Sequence, residues 1–70
     1  MSSYRYNVTF RTVGWSETIA WETDCRLLTP EEMFSAANQR IDWHYHYPIF
    51  DWTIESVTEE TITHTRTVTP

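Results

Sequence analysis

Glycine and cysteine each occur once in these 70 residues, proline occurs three times, and lysine is absent. A single glycine leaves no material for a phosphate-cradling loop, and no motif of that kind is present. A lone cysteine, Cys25, excludes an internal disulfide. It reads as a small core hydrophobe in a reducing compartment, which points to the cytoplasm. No apolar run approaches the roughly 18 residues that a membrane span requires. The opening "MSSYRYNVTF" has no hydrophobic stretch of the signal-peptide kind. The expectation is a soluble, cytoplasmic protein with no membrane partner.

The positive charges are all arginine, five against ten carboxylates, for a formal charge of −5. That balance disfavours contact with a phosphate backbone, which relies on many cationic groups, so no direct nucleic-acid partner is expected. It suits solubility, and it leaves basic protein surfaces as partners. What the chain has in quantity is aromatic: four Trp, four Tyr and three Phe. A chain of this length buries only about 60% of the surface its unfolded form exposes. With no disulfide available, large rings are the natural means of filling its core.

"YRYNVTFRTV", Tyr4 to Val13, alternates, with Tyr4, Tyr6, Val8 and Phe10 on one side. Period two with aromatic and β-branched residues is a strand signal. Gly14 breaks the pattern in "VGWS", which reads as a turn. A second alternating run follows, with Glu17, Ile19, Trp21, Thr23 and Cys25 sharing a side. In "LLTPEEMFSAANQRI", Thr29 is an N-cap, Pro30 suits the first helical position, and Glu32 completes a capping box. Met33, Phe34, Ala37 and Ile41 make one apolar stripe, and Leu28 is placed to staple onto Met33. The helix is expected from about Pro30 to Arg40.

"IFDWTIES" alternates again, with Phe50, Trp52 and Ile54 inward, and "VTEE" then reads as a turn. "TITHTRTVT" reads as a last strand, with Ile62, His64, Arg66 and Val68 on one face and a row of threonines on the other. The fold class is α+β: ββαββ, one mainly antiparallel four-stranded sheet with a single helix packed on one face. All of residues 1–70 form a single domain, with the third strand beside the first. The expected core is Tyr6, Val8, Phe10, Ile19, Trp21, Met33, Ala37, Ile41, Phe50, Trp52, Ile54 and Ile62.

Chemistry concentrates in "DWHYHYPIFDW". His44 and His46 are two apart, so in extended chain both imidazoles leave one face, a metal-ligand arrangement. The third ligand would have to be His64, Asp42, Asp51 or Cys25, and none lies at a diagnostic spacing. No metal or other cofactor is therefore assigned. A small metal- or ligand-binding domain using His44 and His46 is one alternative. His64, on a face with Ile62 and Val68, reads as a satisfied, partly buried side chain. No motif marks a nucleophile or a positioned acid, so the reading is non-enzymatic.

Exposed Trp and Tyr are the usual anchors of protein interfaces, and connecting segments lie at the surface. Trp43, His44, Tyr45, His46 and Tyr47 are accordingly the candidate binding patch. A terminal strand also offers an edge for pairing with a partner or for a homodimer. A second alternative is an acidic nucleic-acid mimic. Its carboxylates fall in two clusters, Glu17 to Glu32 and Asp51 to Glu60.

The layout "YNVTF", a second strand running into "LTPEEMFSAA", then "WTIESVTEE" resembles small ββαβ accessory proteins of bacteriophages and mobile elements. The resemblance covers about three-quarters of the chain. It implies a non-catalytic inhibitor or modulator of host or defence machinery, acting by protein binding in the host-cell cytoplasm. No site residue carries over, because that group shares no site motif. "DWHYHYPIFDW" departs from the pattern.

Overall fold

The computed structural model describes residues 3–45 and 51–70. Strand β1 (Tyr4–Thr12) and strand β2 (Trp15–Thr23) form an antiparallel hairpin in which Thr12 faces Trp15 and Tyr4 faces Thr23. Val13 and Gly14 make the connection, and Gly14 has φ +85°. A positive φ at the second central position is what a type II turn requires, and it favours glycine. A Cβ at Gly14 would meet nothing within 4 Å, so the constraint there is conformational rather than steric.

Helix α1 (Pro30–His44) starts as its sequence dictates. The Thr29 hydroxyl accepts the Glu32 amide at 3.1 Å, and Pro30 occupies the first turn. The Glu32 carboxylate accepts the Leu28 amide at 2.9 Å, one residue before the cap, so the box closes on N′ rather than on the cap itself. Leu28 is 65% exposed and does not staple onto Met33; Leu27 packs against the core instead. The helix also runs four residues past the expected Arg40, to His44. Neither glycine nor proline stands before Pro48 to stop it.

Strand β3 (Trp52–Glu60) lies beside β1, and strand β4 (Thr65–Val68) closes the sheet in the order β2-β1-β3-β4, all antiparallel. The α+β, ββαββ arrangement is thus the observed fold, with the third strand next to the first. "VTEE" is not a turn. The β1–β3 register passes from Thr9 opposite Ser56 to Phe10 opposite Ile54, leaving Glu55 as an extra residue. A bulge of this kind shifts the pleat by one. Trp52 and Ile54 point inward before it, and Val57 and Glu59 after it. The break in alternation that reads as a strand end is therefore a bulge inside one strand.

Met33, Ala37 and Ile41 lay the helix on Tyr6, Val8, Phe10, Trp21 and Val57, all buried. Ile19, Trp52 and Ile54 pack on the margin of this core. Tyr6 and Trp21 stack with centroids 5.7 Å apart. Three expectations are corrected. Ile62 is fully exposed, because residues 61–64 form the β3–β4 turn rather than part of a strand. His64 sits in the same turn with its side chain 45% exposed. Cys25 is exposed, because the chain leaves the sheet after Thr23 and the inward alternation ends there. Phe50 lies outside the described residues.

The opposite face of the sheet is polar. Its threonines pair across strands, Thr9 with Thr18 and Thr58 with Thr67, each at 3.0 Å. Cross-strand pairs of this type are a modest source of sheet stability. Of the expected threonine row, Thr61 and Thr63 belong to the turn instead.

Candidate functional site

Two constellations of side chains stand out, one at each end of β1. At the hairpin end, the last turn of the helix comes down on the aromatic side chains of β1 and β2. Tyr45, the C-cap residue, meets Phe10 edge-on at 6.2 Å and Trp15 at 5.8 Å. Its hydroxyl donates to the Glu17 carboxylate. The His44 imidazole stands edge-on to Tyr45 at 5.0 Å, with Nε2 3.6 Å from Glu17 Oε1. One turn earlier, the Arg40 guanidinium lies between two indoles, 5.9 Å from Trp21 and 5.6 Å from Trp43. Cation–π contact steadies both partners. Trp43 nevertheless remains 78% exposed.

The structure thus divides the candidate patch. Trp43 is an exposed ring, His44 is half exposed beside Glu17, and Tyr45 is half buried in the aromatic cluster. His46 and Tyr47 lie outside the described residues. Because the helix continues through His44, the extended geometry needed to project His44 and His46 from one face does not hold at His44. Among the described residues, no group of three or more His, Cys, Asp and Glu side chains is placed to hold a metal ion.

Among the described residues, strand β2 runs alongside this surface as an edge, paired only to β1. It is nine residues long and contains neither proline nor lysine, and its pairing with β1 has no bulge. Those are the devices that usually blunt an edge. The other edge, β4, has four residues.

At the far end, Glu59 is fully buried. The Tyr6 hydroxyl donates to Glu59 Oε2 at 2.6 Å. Arg26 forks onto the same carboxylate, Nε to Oε2 and Nη2 to Oε1, both at 3.3 Å. Arg66 Nη2 reaches Oε2 at 3.2 Å, and His64 Nε2 stands 3.4 Å from Oε1. Arg66 also donates to the Leu27 and Leu28 carbonyls at 2.7 and 3.1 Å, and the Tyr6 oxygen accepts the Leu27 amide at 2.8 Å. Arg26, Leu27 and Leu28 of the β2–α1 connection are therefore tied, directly or through Tyr6 and Arg66, to one buried carboxylate.

Burial pushes the Glu59 carboxyl up, but hydrogen bonds from Tyr6 and Arg26 and the charge of Arg66 outweigh it. The group settles at about 2, below its usual 4.5. Burial, followed by the bond to Glu59, pushes the Tyr6 phenol up. The Arg26 guanidinium is raised by its hydrogen bond to Glu59. Glu59 is thus not part of an acidic surface, and Glu32 is engaged in the helix cap. The sequence pattern alone missed this cluster. Its one local signal is that Val57 and Glu59 keep a period of two across "VTEE".

No family model matches the chain, and neither does any curated protein or solved structure. No helix among the described residues is long and apolar enough to cross a membrane.

Proposed function

We propose that this chain is a non-catalytic binding protein, which engages another protein through the helix end and the adjoining β2 edge. The observation that carries the reading is Trp43, 78% exposed yet held in place by Arg40. A large ring on a rigid element loses little conformational freedom on binding, and Trp and Arg are the residue types that dominate interface energetics. Beside it, β2 offers main-chain groups for an added strand, with Trp15 at 41% exposure near the hairpin turn. A partner strand would gain backbone hydrogen bonds along β2 and side-chain contacts from Trp43 and Trp15.

The resemblance of the layout to phage accessory proteins sets the biological role within this reading: a cytoplasmic modulator or inhibitor of host or defence machinery.

Affinity capture from a bacterial host lysate tests the proposal, with wild type beside Trp43→Ala and Arg40→Ala. A specific partner is expected with wild type. It should be retained at least tenfold less by Trp43→Ala, in line with the loss of about 2 kcal/mol typical of a hot-spot residue. Capture of the same partner at equal yield by both variants would overturn the assignment of this surface.

A further inference from the structure

The Glu59 cluster holds more positive charge than it can neutralise internally. Two guanidinium groups and an imidazole converge on one carboxylate. A carboxylate offers roughly four lone-pair sites, and those of Glu59 are already taken by Tyr6, Arg26, Arg66 and His64. The two arginines differ in how they are spent. Arg66 is turned inward onto the Leu27 and Leu28 carbonyls. Among the described residues, Arg26 bonds to Glu59 alone, through Nε and Nη2, which leaves Nη1 without a partner there while the side chain is 39% exposed.

Arg26 lines an open cleft of about 410 Å³, bounded by the start of β1 and the β3–β4 turn. Ser3, Tyr4, Thr61, Ile62, Thr63 and His64 contribute to its walls, and among the described residues no Asp or Glu does. In a chain of net charge −5, this is a locally cationic recess that carries hydroxyl groups beside the exposed Ile62 side chain. Its central guanidinium is held from behind by a buried carboxylate, so an incoming group meets a side chain already oriented. Preorganisation of that kind reduces the cost of binding, and the guanidinium fork matches the geometry of an oxyanion.

We propose that this cleft is an oxyanion subsite, taking a phosphate or carboxylate group against Arg26 with hydroxyl donors from Ser3, Tyr4 and Thr63. The site lies at the opposite end of β1 from the aromatic surface and does not depend on it.

Titration of the 15N-labelled protein with sodium phosphate, against sodium chloride at matched ionic strength, tests the site by amide chemical shifts. Saturable shifts are expected at Tyr4, Arg26, Thr63 and His64. Arg26→Gln should weaken phosphate binding at least about tenfold, the scale of a lost charge-assisted hydrogen bond. Because Arg26→Gln also loosens Glu59, Thr63→Glu is the companion variant. It leaves the bonds from Tyr6, Arg26 and Arg66 to Glu59 in place, gives up the Thr63 hydroxyl contact with His64 Nδ1, places a carboxylate on an exposed turn residue at the cleft, and should abolish the saturable shifts. A parallel titration with sodium acetate separates the two sources: saturation by both anions marks a general oxyanion site, and saturation by phosphate alone marks a phosphate site. Shifts no larger with phosphate than with chloride, or equal affinity in wild type and Thr63→Glu, would overturn the proposal.

Discussion

Replacing Glu59 with Gln keeps the shape of the side chain and removes its charge, which isolates what the buried carboxylate does. In the folded protein the carboxyl titrates at about 2 instead of 4.5. That displacement corresponds to roughly 3 kcal/mol of stabilisation by the ionised form, at about 1.36 kcal/mol per pKa unit. The figure is an upper value, because Arg26 and His64 are 39% and 45% exposed and solvent screens part of their attraction. A loss of about 2 kcal/mol at pH 7 is therefore expected for Glu59→Gln. For a domain of this size that is a fall in Tm of roughly 8–16 °C.

The pH dependence is the sharper test. A carboxyl whose folded value is depressed contributes stability that is present above its unfolded value and lost as the pH falls. For Glu59 the loss runs from about pH 4.5 down to about 2. Other carboxylates titrate in both proteins, so the quantity to read is the difference between wild type and Glu59→Gln. Urea denaturation followed by tryptophan fluorescence, repeated from pH 7 to pH 2, measures it. The gap between the two stability curves should be widest above pH 4.5 and close towards pH 2. Parallel curves across that range, or a Glu59→Gln variant at least as stable as wild type at pH 7, would refute the reasoning. Tyr6 adds a second limb at alkaline pH. Its raised phenol contributes stability that is present below pH 10 and lost as the pH rises beyond that.

Gly14→Ala should cost about 1 kcal/mol, since φ +85° disfavours an alanine although the space for its methyl group is open; thermal denaturation by circular dichroism measures it. Ile62→Thr should leave stability within about 0.5 kcal/mol of wild type, because the side chain is fully exposed at the β3–β4 turn. The same melt checks it, and a loss of several degrees would place Ile62 in a packed environment after all.

How far the sequence reveals this fold depends on whether its signals are local. Thr29, Pro30 and Glu32 fix the helix start with contacts spanning three or four residues, and the helix begins where they place it. Tyr6, Val8 and Phe10 are buried because strict alternation over one uninterrupted strand leaves a single choice of inward face. Trp43 is legible as an exposed ring, but His44 belongs to the helix, because helix length is set at its C-terminal end by the absence of a stop signal. Ile62 misleads for the converse reason. "TITHTRTVT" alternates perfectly in sequence, yet backbone and hydroxyl bonds among Thr61, Thr63 and His64 close a turn in its first half.

Glu59 is the instructive case, because its burial is decided by two events remote from it. The bulge at Glu55 shifts the pleat, which carries Val57 and Glu59 onto the inward face. An inward glutamate is tolerable only if cations reach it, since an unpaired buried charge costs several kcal/mol. Those cations come from positions without a common local pattern. Arg26 is 33 residues away in the β2–α1 connection, and Arg66 is seven residues away across the β3–β4 turn. Tyr6, 53 residues away, faces Glu59 only because β3 pairs with β1 in this register. Were β3 to pair with β1 without the bulge, the alternation set by Trp52 and Ile54 would carry Glu59 to the outer face of the sheet, leaving Arg26 and Arg66 without their carboxylate. The bulge and the buried ion cluster are thus one feature: the extra residue spoils the sequence pattern, and it also puts the charge where the β2–α1 connection needs an anchor.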